Sequence, residues 1–567
     1  MKQAGRGVAL VYAPALIVAA LYAWAFLDHA RSVVGFPFQV DYGEMPELNR
    51  AVLLAAGRPI YVDWSAPPYQ MANYTPLYPQ VVAPAVAAWG PTFFPGRLLS
   101  LLSSLLTAAA VAFCAGRLSG ARRGAGAAAA VAGLLYLAGY PVWAWGALQR
   151  VDAFAVALEW AGIALFVAAL TARAQASGRD GRDGVTRAAW LTLPLFLGAV
   201  YARQTVVAGA VAVYGTLLLL RPRPGLTLAV AFGAAGVAVF AALQALTGGQ
   251  FRRHIVDGNL NDWSWERVDF YWQPFWATLH WVFPLAALGL GLGAVAAARG
   301  RRPGGAGGRR GAGTLLPALY LLAAAATALT IGKIGANVNY LLQLWAALAL
   351  LAGLGAGRAI ALPAVASAVL GGAVGVWLLI GLQQAYHVPH VLVAAADGGP
   401  ETVLATGGPA ALLAAARWSR LPLWRLDPWG AGPAALEQRA RARYPAHPSA
   451  ADAAAAAAAS AAVGATAGDV LGEEMSFSVT TGRRLYLQPF EFTQLAAQAD
   501  WDQEPLLAAV RRRDFAVVVL RFRLGDDPLW RRERVNDALL GALQESYALD
   551  AVYGDYFLYR PKPATVW

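Results

Sequence analysis

FQVDYGEMPELNRAVLLAAGRPIYVDW, residues 38–64, follows a long apolar run and carries Asp41, Glu44 and Glu47. Carboxylates at a bilayer boundary are costly to hold there, so they mark a functional surface by default. Upstream, Lys2 and Arg6 precede an apolar run from about Val8 to Leu27. That run exceeds the roughly 7–15 residues of a signal-peptide core, so it reads as a retained first helix entering from the cytoplasm. Residues 28–96 then form a large first outer loop, with Asp41 and Glu44 near its start.

The remainder of the chain supports a membrane setting. Its 567 residues have a mean hydropathy of +0.47, with 58% hydrophobic and 14% charged residues. A soluble chain carries about 25% charge. Apolar runs near the roughly 20-residue spanning length recur. They predict eleven spanning helices, at about 8–27, 97–118, 124–146, 152–172, 188–202, 204–220, 225–247, 275–298, 314–331, 340–357 and 359–385. The net charge of +12 does not indicate nucleic acid, because most arginines of this part lie in short loops such as RPRP and RGRRPGGAGGRR. Those loops fall on the same side as Lys2, the positive-inside pattern, with the N-terminus cytoplasmic. Loops 28–96, 248–274 and 332–339 fall on the outer side. The proline-broken stretch 76–93 reads as an interfacial or re-entrant helix, since counting it as a span would invert every later loop.

Hydropathy falls after Ala385, and residues 386–567 read as a soluble extracytoplasmic α/β domain. TVLAT (402–406), RLYLQ (484–488) and FAVVVLRF (515–522) read as strands, the last as a buried one. Helical patterns fall at about 434–443, 503–512 and 531–545, and the alanine-rich run 450–465 reads as helix or linker. The fold class is thus a polytopic α-helical membrane protein with about eleven transmembrane helices, residues 1–385, and a C-terminal soluble α/β domain. The single cysteine, Cys114, excludes an intrachain disulfide and a multi-cysteine metal site.

Polar residues collect on the outer face. Lys333 is one of only three lysines and stands among glycines in GKIGANVNY, a compact cationic donor suited to a phosphate. Arg150 and Arg203 fall at the same boundary, so the three cations together suit the phosphate of a lipid carrier. Asp41 also reads as a helix cap, Arg150 and Asp152 as a pair across a turn, and Arg203 as a snorkelling side chain. Asn337 and Asn339 also read as satisfying backbone groups of a glycine-rich loop. His254 lacks ligand-spaced companions. The aromatic run 259–276 reads as an interfacial anchor, with stacking on sugar rings as the alternative.

Several stretches carry a family resemblance. Ala51, Gly57, Pro59 and Tyr61 follow the acidic loop in an A-x-x-x-x-x-G-x-P-x-Y pattern. NYTPLYP (73–79), GRLLS (96–100), RVD (150–152), RQT (203–205) and GKIGANVNY (332–340) come in order after it. In this the chain resembles the GT-C superfamily of membrane glycosyltransferases. Within that group it resembles the bacterial relatives of protein mannosyltransferases and aminoarabinose lipid A transferases, over roughly residues 8–385. The resemblance implies a polyprenyl-phosphate-sugar donor, an inverting transfer on the outer face of the cytoplasmic membrane, and an Asp or Glu base in the first outer loop. The expected base is Asp41 or Glu44. Arg150, Arg203 and Lys333 are expected to bind the donor phosphate. Asn73, Tyr74, Asp152, Gln204, Asn337, Asn339 and Tyr340 are expected at the substrate. The pattern departs from the commonest one, an adjacent Asp-Glu pair, because Gly43 falls where that Asp would stand. Gln343 lies where many relatives show a glutamate.

No cofactor is required by this reading, and a glycan, lipid or protein acceptor is left open. A divalent ion shared by Asp41, Glu44, Asp152 and Asp257 also stays open, although no ligand spacing demands one. Two rival readings stand beside the enzyme. A flippase or transporter of lipid-linked sugars predicts charges lining a path through the spans, where Glu159 is the clearest candidate. A non-catalytic scaffold would work through its soluble domain. Geometry separates them: an enzyme needs Asp41 or Glu44 together with Arg150, Arg203 and Lys333.

Overall fold

The structure, a computed structural model, describes residues 2–120, 122–172, 180–299, 307–382, 448–528 and 530–563. Helix α1 (Lys2–Gly35) leads into the acidic loop, followed by α2 (Glu44–Ala55), α3 (Leu77–Trp89) and α4 (Phe94–Leu118). Next come α5 (Arg122–Ala138), α6 (Tyr140–Trp145), α7 (Val151–Ala172), α8 (Asp180–Ala202), α9 (Ala208–Leu220) and α10 (Pro222–Leu246). The remaining helices of this part are α11 (Gln250–Ile255), α12 (Trp265–Leu279), α13 (Val282–Arg299), α14 (Gly307–Ala328), α15 (Leu342–Ile360) and α16 (Ala364–Leu382).

Among the described residues, nine helices are long and apolar enough to cross a membrane: α1, α4, α7, α8, α10, α13, α14, α15 and α16. The chain is a multi-pass membrane protein. The other two expected spans coincide with α5 and α9, which are apolar but shorter. The run expected at 124–146 breaks because Gly139 is extended (φ −72°, ψ 137°) and Pro141 starts the separate helix α6. Helix α3 has 13 residues, too short to span, as expected for 76–93.

Helix α15 is the axis of the bundle, with nearly every residue buried. Lipid offers no hydrophobic drive between helices, so close backbone approach at small residues does the packing. A Cβ on Gly353 would lie 2.5 Å from the Ala128 carbonyl oxygen of α5, and one on Gly355 would lie 2.5 Å from that of Leu285 in α13. Gly124 of α5 and Gly289 of α13 meet α15 backbone in the same way.

The C-terminal part holds α17 (Ala450–Gly464), β1 (Asp469–Gly472), α18 (Pro489–Ala497), α19 (Glu504–Arg511), β2 (Phe515–Leu520), α20 (Asp537–Ser546), β3 (Tyr547–Tyr553) and β4 (Tyr556–Pro561). Its four-stranded sheet has the order β1-β2-β4-β3. β1 runs parallel to β2 with Val470 opposite Val517, and β2 runs antiparallel to β4 with Val519 opposite Leu558. Thus FAVVVL is the buried central strand, as its apolar run predicts. RLYLQ is not a strand of this sheet. Its backbone instead pairs with the first loop: the Tyr69 N–H donates to Tyr486 O at 2.7 Å, and the Gln488 N–H donates to Tyr69 O at 3.1 Å. The alanine-rich run is helix α17, started by a Ser449/Asp452 capping box. TVLAT and the helical pattern at 434–443 lie outside the described residues.

Gly353→Leu is expected to force α15 and α5 apart, destabilising the bundle by about 1–3 kcal/mol as overpacking does. Thermal unfolding of the detergent-purified protein should show a lowered midpoint. Gly372→Ala, with no atom within 4 Å of the new Cβ, should leave the midpoint in place.

Candidate functional site

The two carboxylates singled out from the sequence have different surroundings. Glu44 is fully buried and accepts five hydrogen bonds. Arg97 donates from Nε at 2.8 Å and from Nη2 at 2.7 Å. The backbone N–H groups of Val40 (2.8 Å), Asp41 (3.1 Å) and Gln149 (2.9 Å) donate the rest. Burial pushes the Glu44 carboxyl up, but Arg97 and the backbone donors outweigh it and hold the group below the usual range. Arg97 also donates to the carbonyls of Val33, Phe36 and Phe38 just beyond α1. Every donor of this guanidinium is used within the protein.

Asp41 keeps a quarter of its side chain accessible, and Arg150 Nη1 stands 3.4 Å from its Oδ1. The Gly43 N–H donates to the same oxygen at 3.0 Å. Burial raises the Asp41 carboxyl, while the Arg150 charge opposes that rise. Gly43 has an ordinary right-handed backbone (φ −81°, ψ 0°), so nothing in its conformation demands glycine. What demands it is space: a Cβ there would coincide with the Arg150 guanidinium.

A second cluster stands next to this one. Asp152, at the start of α7 and fully buried, pairs with Arg203 and accepts from Trp145 Nε1 at 2.8 Å and Asn339 Nδ2 at 3.0 Å. Arg203 stacks on the Tyr340 ring, 4.2 Å from its centroid. The half-buried Tyr74 links the clusters, since its hydroxyl feels Arg150, Tyr340 and Arg203 together. Lys333 joins from the GKIGANVNY loop, with Nζ 3.4 Å from Asn259 Oδ1. Burial and the Arg203 charge pull its ammonium down to about 8. The loop is fastened to the aromatic segment: the Ser264 N–H donates to Gly332 O at 2.9 Å, and the Ile334 N–H donates to Asp262 O at 2.8 Å. Helix α12 beyond it exposes Trp265, Phe270 and Trp276, as an interfacial anchor would.

Other expected site residues are engaged with the protein itself. Asn73 accepts from Arg50 at 2.6 Å, and its carbonyl accepts from Gln204 Nε2 at 3.0 Å. Asn337 caps its own turn by accepting from the Val338 N–H at 2.7 Å. His254 accepts from the Ala72 N–H at 2.8 Å through Nδ1, with Nε2 2.7 Å from Val62 O, and burial lowers it to about 4. Glu44 and Asp152 are both taken up by guanidinium partners. Among the described residues, no group of three or more His, Cys, Asp or Glu could hold a metal ion, so the four acids do not meet as a cation site.

Sequence reasoning gave three groups no role in the site. Glu47 and Arg50 form a buried ion pair at 2.5 Å within α2. Glu491 arrives from α18 of the C-terminal part, where burial pushes it up to about 7 against the opposing charges of Arg50 and Arg150. An acid inside the apolar PFEF stretch was the available signal for it. Phe490 beside it fills the space in front of Gly335, and its N–H donates to the Tyr42 hydroxyl at 2.9 Å. Buried polar atoms without a hydrogen-bond partner among the described residues concentrate here: Glu47 Oε2, Glu491 Oε2, Arg150 Nε, Arg203 Nη2, Asn339 Oδ1 and Gln204 Oε1. Buried orphans are rare in folded proteins, and such a concentration marks where polar groups of a ligand would be accommodated.

Membrane helices in this order, with an acidic first loop and a C-terminal part seated on it, make up a fold that solved structures share. The chain is similar to ArnT from Cupriavidus metallidurans in the apo state, at 15% identity and a TM-score of 0.54, covering 95% of this chain and 97% of that one. ArnT bound to undecaprenyl phosphate gives 14% identity and a TM-score of 0.53, over 97% and 98% of the two chains. An Archaeoglobus fulgidus oligosaccharyltransferase tethered with an acceptor peptide gives 11% and 0.49, over 94% of this chain and 72% of that one. No family model and no curated protein matches the sequence.

Arg97→Met would strand Glu44 as an unpaired buried charge, a loss of about 3–5 kcal/mol. Thermal unfolding should show a sharply lower midpoint. Replacing both partners, Arg97→Met with Glu44→Leu, should recover part of the loss, the non-additivity expected of a direct pair. A wild-type midpoint for Arg97→Met alone would contradict the central place given to this pair.

Proposed function

We propose that the chain is a membrane glycosyltransferase that moves a sugar from a polyprenyl-phosphate donor to an acceptor hydroxyl on the outer face of the cytoplasmic membrane. One observation carries the reading: Asp41 stands beside Arg150, the charges of Arg150 and Arg203 both act on Tyr74, Arg203 stacks on Tyr340, and the Lys333 ammonium feels Arg203. The GT-C fold and its likeness to a protein solved with undecaprenyl phosphate support it.

The residues divide the work as follows. Arg203 and Lys333, with Arg150, hold the donor phosphate and stabilise it as it departs. Asp41 is the general base. The acceptor oxygen attacks the anomeric carbon, the carbon–oxygen bond to phosphate breaks with inversion, and the acceptor proton passes to Asp41. Glu44 holds the loop and Asp152 holds Arg203, so neither meets the reacting atoms. Tyr74, Tyr340 and Asn339 face the sugar, together with the free oxygens of Glu47 and Glu491. The C-terminal part covers the site through the 486–491 segment.

The carrier and scaffold readings are less well supported. Glu159, the charge that suggested a path through the spans, accepts from Gln343 and Tyr320 at 2.9 Å and from the Gly209 N–H at 2.6 Å. That carboxylate ties α7, α9, α14 and α15 together, whereas a path needs a charge that changes partners. A scaffold needs no convergence of a carboxylate with three cations.

Asp41→Asn is expected to lower transfer from radiolabelled polyprenyl-phosphate sugars by about 10²–10⁴-fold with folding intact. Full activity in that variant would sink the assignment. The donor KM is expected to rise above pH 8, where the Lys333 ammonium loses its proton. Lys333→Arg, cationic throughout, should flatten that limb in a pH series of initial rates.

A further inference from the structure

The arginines of this site are anchored to very different degrees. Arg97 spends all its donors inside the protein. Arg50 is locked by Glu47, the Met71 carbonyl and Asn73. Arg203 is fixed by the buried Asp152. Arg150 has one long ionic contact, 3.4 Å to Asp41, lies over the Trp145 ring at 5.4 Å from its centroid, and keeps a buried Nε without a hydrogen-bond partner among the described residues. Its guanidinium reaches Asp41 only because position 43 carries no side chain. Asp41 itself does not depend on Arg150 for its place, since the Gly43 N–H holds the same oxygen at 3.0 Å.

We propose that Arg150 is an exchangeable cation seated in the space left by Gly43: it covers Asp41 when no donor is bound, and it leaves for the donor phosphate when one arrives. The inference rests on the glycosyltransferase reading and adds a mode of control to it. An anion at Tyr74, where Arg203 already contributes positive charge, competes with Asp41 for one loosely held guanidinium. Exchange uncovers the carboxylate only when there is a donor to attack, so Asp41 accepts no proton unproductively in an empty site. Gly43 is therefore a positioning residue. It touches no reacting atom, and its role is to leave room for the guanidinium.

The exchange makes a prediction that a merely structural pair does not. If binding must break the Arg150–Asp41 contact, removing the Asp41 charge should tighten binding of undecaprenyl phosphate. The probe is undecaprenyl phosphate itself, titrated against the full chain in detergent, with affinity read for wild type, Asp41→Asn, Gly43→Ala, Arg150→Met and their pairs. Asp41→Asn is expected to bind several-fold tighter than wild type. That gain should vanish on the Arg150→Met background, where no cation is left to exchange. It should vanish equally on the Gly43→Ala background, where a methyl group takes the guanidinium's seat and the helical backbone at position 43 tolerates it. Wild-type affinity in Asp41→Asn would overturn the exchange while leaving the phosphate site standing. So would a gain that persists without Arg150, which would reflect simple removal of a negative charge. Failure of wild type to bind the probe would sink the phosphate site and the exchange with it.

Discussion

The pairing of Arg97 with Glu44 is the constraint on which the rest of the site depends. Four separate stretches meet there: the exit of α1 through the carbonyls of Val33, Phe36 and Phe38, the start of α2 through Glu44, the start of α4 through Arg97, and the approach to α7 through the Gln149 N–H. None of these meets its neighbours by apolar packing alone. A buried ion pair is a poor source of net stability, because desolvation offsets most of the attraction. Its value here is directional. Two charged groups with eight hydrogen bonds between them and to their neighbours admit one arrangement, and that arrangement presents Asp41 and Arg150 to each other. An apolar replacement could fill the same volume without aiming either residue.

Deeper in the bundle, Glu159 applies the same device to other helices. It is fully buried, bonded to Gln343 of α15, Tyr320 of α14 and the backbone of α9, with Tyr320 accepting in turn from Trp160 at 2.9 Å. Inside a membrane the alternative to a satisfied carboxylate is an expensive one, so such a hub is strongly specific about which helices meet. Charge within the spans is thus used to assemble the bundle, as the Arg97–Glu44 pair is used beside it.

Much of the helical order was legible in the sequence because a bilayer imposes length and hydropathy on each span. The runs at 152–172, 225–247 and 340–357 overlap α7, α10 and α15 almost throughout for that reason alone. What the sequence did not disclose were relations between distant residues. Nothing local in DYGE says that Glu44 will be consumed by Arg97, 53 positions away, while Asp41 stays partly open. The same holds for RLYLQ, whose alternation fits a strand but whose backbone partner is Tyr69 of the first loop rather than a strand of the sheet. Glu491 was hidden for a further reason: its significance comes from the surface on which the C-terminal part is seated, a tertiary fact with no periodic signature. Gly43 was visible only as a departure from the commonest acidic pair, and its meaning required the position of the Arg150 guanidinium.

The degree of anchorage sorts the cations into two kinds. Arg97, Arg50 and Arg203 are fixed by buried carboxylates, of which Glu44 and Asp152 accept further hydrogen bonds from neighbouring groups. Arg150 and Lys333 each have one polar side-chain contact longer than 3.3 Å, with Arg150 also lying over the Trp145 ring. A donor phosphate changes its charge and position as the sugar leaves, so a wholly rigid cationic cradle would fit either the bound donor or the departing phosphate, but not both. Under the proposed function Arg203 supplies the fixed point, with Asp152 keeping its direction. Arg150 and Lys333 then supply adjustable charge, one from the approach to α7 and the other from a glycine-flanked loop fastened to the aromatic segment. On that reading the site is preorganised where the phosphate must be found and compliant where its charge must be followed.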